Sequence, residues 1–175
     1  MAALPPCRAD FTNASLKTGL FRGHMFDILI FLFESYFYAG SYPDSDKLSR
    51  KLSAAGFEDD DIHRALDWLS GLKQLNDADY PAIINKSGLR CYADLETQRI
   101  SPEALCFLTF WEQNKMITPV EREMILDRAV ALNRENLPLE KVKLIALMVL
   151  WNQHEELDPM VVEELLTQAD SSHFH

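Results

Sequence analysis

The sequence predicts a mainly α-helical protein: an N-terminal winged-helix-like unit of three helices with a short β-hairpin, then a C-terminal bundle of about four helices. Three observations predict it. Apolar residues recur at helical spacing across 26–71. A capping side chain stands directly before proline three times, at Ser101-Pro102, Thr118-Pro119 and Asp158-Pro159. Between the two halves, Asn85-Lys86-Ser87-Gly88 supplies turn chemistry between short apolar runs.

The run MFDILIFLFESYFYAG gives a first helix over 26–38. Its polar residues Asp27, Glu34 and Ser35 share one narrow face, and the rest is apolar, as in a helix buried among neighbours. A strand reading competes, but this length favours helix. Gly40 and Pro43 end it. A second helix over 46–55 aligns Leu48, Leu52 and Ala55, with Asp44 or Ser45 able to cap it. The third begins near 58. Phe57 and Ile62 are placed as a hydrophobic staple, and Glu58 to Asp61 sit where the helix dipole favours acids. Ile62, Ala65, Leu66 and Leu69 make its buried stripe, and Gly71 is expected to close it. Residues 82–84 and 89–92 form the hairpin arms, and 94–100 is a polar link.

The second half holds helices over 102–115, 119–132, 139–152 and 159–169. Thr118 with Glu121 makes a capping box. The helix over 139–152 is apolar on every side and should be central. The helix over 119–132 spreads Val120, Met124, Ile125, Leu126 and Leu132 over more than one face, so it should touch several neighbours or a partner. The organisation expected is an N-terminal extension over 1–24, a winged-helix-like half over 25–93, the link over 94–100, a helical half over 101–170 and a frayed tail over 171–175. Because the periodic pattern starts at Met25, residues 1–24 are expected to be a disordered tail or a misassigned start.

Composition narrows the function classes. The chain is 47% hydrophobic, which suffices for a sizeable core. Its net charge is -10, but residues 1–24 hold Arg8, Lys17 and Arg22 against Asp10, so the remainder carries -12. Such a surface repels phosphate backbones except where basic residues cluster. Cys7, Cys91 and Cys106 form no C-x-x-C pair and suit a reducing compartment. No apolar run approaches the ~20 residues that span a bilayer, and the head lacks a secretory apolar core. A cytoplasmic location follows as the expectation.

Chemistry-bearing patterns are scarce. His24, His63 and His154 stand alone, and only the terminal His173 and His175 are close in sequence. The acids Glu58 to Asp61 lack the alternating ligands and turn glycine of a calcium loop. No glycine-rich phosphate loop or nucleophile motif occurs. No catalytic, metal or cofactor site is expected. A winged helix would lay its third helix along DNA, but Glu58, Asp59, Asp60, Asp61 and Asp67 against Arg64 make that surface repulsive. The favoured reading is a non-enzymatic adaptor or regulator that binds a protein partner through Glu58, Asp59, Asp60, Asp61, Asp67 and Trp68. Trp68 lies on the flank of the apolar stripe, and a boundary core position is the more ordinary reading of it. The alternative is a nucleic-acid-associated regulator contacting phosphates through Lys47, Arg50, Lys51, Lys86 and Arg90.

The stretches MFDILIFLFESYF, KLSRKLSAAGFEDDDIHRALDWL, ALCFLTFWEQNKMITPVEREMILDRAVAL and KVKLIALMVLWNQ together resemble the bacterial Smg family. The resemblance covers nearly everything from Met25 to the last helix. It implies a short cytosolic protein of unknown function that begins at the equivalent of Met25. It carries no active-site residues, and it links the family to DNA metabolism only through gene neighbourhood.

Overall fold

A computed structural model describes residues 24–37, 43–80, 90–154 and 156–167. The first apolar run folds as α1 (His24–Tyr36), with Phe26, Ile28, Leu29 and Leu32 wholly buried. Helix α2 (Ser45–Ala54) buries Leu48 and Leu52. Helix α3 (Asp59–Lys73) follows, with Phe57 and Ile62 at the two staple positions around its start; Ile62 is buried, and Phe57 meets Phe31 of α1 edge to face at 5.8 Å. α1 and α2 both pack on α3, and α1 also rests on the C-terminal half.

Gly71 does not close α3. It lies inside the helix, and the Arg128 guanidinium occupies the space its missing side chain leaves. A glycine here costs about 1 kcal/mol of helix propensity relative to alanine. It allows the side chain of a crossing helix to lie against the backbone.

The expected hairpin is corrected. Residues 81–89 lie outside the described residues, but Arg90, Cys91 and Tyr92 of its second arm run without strand pairing, and the described residues contain no strand. Side chains tie this segment to helices instead. Arg90 reaches Glu96 and Glu123, and Tyr92 donates to the Leu105 carbonyl at 3.2 Å. The described residues therefore give no support to a winged-helix-like unit, only to three packed helices. The stretch expected as a polar link contains α4 (Asp94–Arg99), because the Glu96 carboxylate accepts the Ala93 N–H at 2.7 Å and closes the first turn.

The second half follows its proline punctuation. Helices α5 (Pro102–Gln113), α6 (Pro119–Val130) and α8 (Pro159–Leu166) each begin at the expected proline, with Ser101, Thr118 and Asp158 accepting a backbone N–H of the first turn. α5 and α6 stop short of the expected ends, and Lys115 and Asn133 adopt left-handed backbone just beyond them. The capping box forms: Thr118 Oγ1 accepts the Glu121 N–H at 3.1 Å, and Glu121 Oε2 accepts the Thr118 N–H at 2.6 Å. Thr118→Ala should lower stability by about 1 kcal/mol. That is a fall of roughly 2–4 °C in melting temperature for a chain of this size. A calorimetric scan showing no change would remove the cap from the account.

Helix α7 (Leu139–Gln153) is the axle. Val142 to Trp151 are all buried, and α1, α3, α5, α6 and α8 pack against it. The buried apolar residues form one cluster drawn from both halves of the chain.

Candidate functional site

The acidic start of α3 divides into an outer edge and an inner residue. Glu58 is the N-cap residue and makes no side-chain cap, and Glu58, Asp59, Asp60 and Asp67 are exposed. Asp61 is only 5% exposed and accepts from Arg64 Nη2 at 2.8 Å. The Arg64 guanidinium pairs with Asp61 while its Nε donates to the Asp60 carbonyl, and the Arg64 side chain itself stays largely exposed beside the outer acids. Trp68 is 6% exposed, and its indole Nε1 donates to the Arg128 carbonyl at 3.0 Å. The structure therefore brings Glu58, Asp59, Asp60 and Asp67 to the surface of one helix, with Asp61 and Trp68 on its inner side.

The basic residues do not converge to the same degree. Lys47, Arg50 and Lys51 are exposed on α2, spaced to share a face. Lys51 donates to Tyr36 Oη at 2.8 Å and sits 5.1 Å from that ring. Lys86 lies outside the described residues. Arg90 is committed elsewhere: its guanidinium donates to both oxygens of Glu96 at 2.6 and 2.7 Å and to both of Glu123 at 2.8 and 2.9 Å.

Those pairs belong to a chain of alternating charge. Glu123 also accepts from Arg122, whose side chain is buried, and Arg122 in turn pairs with Glu112 of α5. The order Glu96, Arg90, Glu123, Arg122, Glu112 ties α4, α5 and α6 together. Burial alone would raise the Glu123 carboxyl. Hydrogen bonds and attraction from Arg90 and Arg122 outweigh it, and hold that group below the usual carboxylate range. The same bond to Glu123 is the largest cause keeping Arg90 above its ordinary value. Nearby, His154 Nε2 bonds Glu121 Oε1, so one carboxylate serves both the α6 cap and the end of α7. One turn along α6 from Glu123, Asp127 accepts the Tyr80 hydroxyl; burial first, then that bond, pushes the phenol well above its usual range.

Reading the sequence for chemistry missed this network. A signal was present: Arg122, Ile125 and Ala129 follow helical spacing, so Arg122 falls on the buried stripe of α6. An arginine there demands carboxylate partners. Each carboxylate of the chain faces a guanidinium, an arrangement that fixes helices. Among the described residues, no group of three or more histidine, cysteine or acidic side chains is placed to hold a metal ion. No helix there is long and apolar enough to cross a membrane.

Comparison with known proteins fits this architecture to a family. Residues 25–175 match a family described as a protein of unknown function (DUF494). A protein named Smg homolog from Azoarcus sp. (strain BH72) is 46% identical over 147 residues, covering 83% of this chain and 95% of the relative. Those from Methylobacillus flagellatus and Aromatoleum aromaticum are 39% and 43% identical, covering 86% and 82% of this chain and 100% and 93% of theirs. No solved structure matches the chain. With a family model spanning residues 25–175 and relatives this similar over most of both chains, the protein belongs to the Smg family, whose function is unknown.

Proposed function

We propose that this protein is a non-enzymatic cytosolic adaptor or regulator that binds a basic region of another protein through the outer edge of α3. The observation that carries the reading is the outward set Glu58, Asp59, Asp60 and Asp67, while the helix's arginine serves Asp61. Three of the four stand in or next to the first turn of α3, where the helix dipole stabilises them without neutralising their field. Such an edge favours encounter with cationic surfaces and repels nucleic acid.

Replacing the four residues by Gln or Asn should weaken partner binding about ten-fold at low salt, with little effect on the fold. Affinity capture from cells followed by mass spectrometry supplies the partner, and titration of the purified pair measures the loss. Unchanged affinity would sink the acidic edge. The alternative, phosphate contact through Lys47, Arg50 and Lys51, is separated by titrating duplex DNA across salt. We expect weak binding. Tight, steeply salt-dependent binding that is lost on neutralising those three residues would replace the adaptor reading.

A further inference from the structure

Val142 to Trp151 of α7 are buried without a break, and Lys143 is the one charged residue in that stretch. Its side chain is 6% exposed. Among the described residues, both acceptors of its ammonium belong to Glu164 of α8: the backbone carbonyl at 3.1 Å and Oε1 at 3.3 Å. The ammonium also lies 5.2 Å from the Phe107 ring of α5. The Glu164 side chain is 58% exposed, so one end of the pair is dry and the other wet. Little else holds α8. It is eight residues long, and isolated helices shorter than ~12–15 residues are marginal in water. Leu165 is its single buried residue, Val161 and Val162 are half-buried, and its main packing is against α7. Its first turn is capped from within, because Asp158 accepts the Met160 N–H at 2.8 Å. The end of α7 is fixed separately, through the bond between His154 and Glu121. Neither of those bonds need break if α8 leaves α7.

We propose that α8 is a reversible strap: it opens from α7 as a unit while the other helices stay folded, and Lys143 keeps the closed form only modestly favoured. Closing α8 takes an ammonium out of water. A carboxylate contact at 3.3 Å with a largely hydrated partner returns only part of that cost. The apolar gain on closing is small as well, since it rests on Leu165 and two half-buried valines. A methionine at 143 would make the same contact an apolar seal. Lysine instead brings the open and closed forms closer in free energy. Opening hydrates the ammonium and bares the α7 surface around it. The chain thereby has two forms, one with that surface covered and one with it free.

The test is native-state hydrogen exchange of the full chain, followed by NMR across low urea concentrations, for the natural protein, K143M and L165A. In the natural protein the α8 amides should exchange at least about 100-fold faster than those in the middle of α7. Their urea dependence should be shallow, because opening a strap exposes little surface, whereas that of α7 should be steep. K143M should slow α8 exchange about ten-fold: the dry ammonium is gone, and the exposed Glu164 can turn to water. L165A should leave α8 nearly unprotected, while the α7 amides stay protected and circular dichroism retains the other helices. Exchange of α8 and α7 at one rate with one urea slope overturns the proposal, since α8 would then open only with the whole chain. Loss of α7 protection in L165A overturns it for the same reason. Faster α8 exchange in K143M also overturns it, by showing that the ammonium clamps the closed form.

Discussion

Trp68→Ala should lower unfolding free energy by about 3–5 kcal/mol, a large share of the 5–15 kcal/mol typical of a domain. Two terms add. The indole is 6% exposed, and removing it leaves a cavity between α3 and α6. The second term lies at the end of α6. The N–H groups of Ala131, Leu132 and Asn133 bond the carbonyls of Asp127, Ala129 and Val130, and the Arg128 carbonyl is taken by the Trp68 indole. Without that donor, a carbonyl in the last turn of α6 loses its partner, at about 1–3 kcal/mol if it stays dry. Trp68→Phe separates the terms: it retains most of the ring and removes the donor, so it should cost about 1–2 kcal/mol. Urea denaturation followed by circular dichroism measures both. If Trp68→Ala kept full stability and lost only partner binding, Trp68 would be a contact residue and the core assignment would fail.

The Trp68 bond illustrates why some of this structure was legible and some was not. Helix starts were local problems. Ser101, Thr118 and Asp158 each cap an N–H two or three residues ahead, so a short window of sequence contains donor and acceptor together. Helix ends were only partly so. One carbonyl near the end of each of α3, α6 and α8 (Leu72, Arg128 and Glu164) is met by Asn152, Trp68 and Lys143, which stand 80, 60 and 21 residues away in the chain. No periodicity or spacing reveals such partners. The same distinction explains α4: its six residues carry no apolar stripe, and its order comes from Glu96 and Arg90. It explains Gly71 as well, a stop signal in isolation that becomes a notch once Arg128 crosses it. In the acidic run, one dimension could show the charge but not that Asp61 turns inward while its neighbours face water.

Glu123→Ala tests whether the alternating charges hold the second half together. Glu123 stands between two guanidiniums, and its side chain is 15% exposed, against 6% for that of Arg122. Removing one partner of a buried pair typically costs 3–5 kcal/mol, because the remaining charge stays desolvated. Arg90 is more open at 23% and keeps Glu96, so the low end applies: about 3 kcal/mol near neutral pH. The pH dependence has a fixed sign. A carboxyl held lower in the folded chain than its ordinary 4.5 contributes stability above that value and loses it as pH falls through the lowered one. The gap between the natural protein and Glu123→Ala should therefore be flat from neutral pH down to about 5 and narrow below about 4.5. Native-state hydrogen exchange should place the loss first in α4, which the Glu96–Arg90–Glu123 bridge ties to α6. A gap of constant size into strong acid would mean that packing, not ion pairing, sets the cost. Uniform loss of protection across all helices would mean that α4 is not separately tethered.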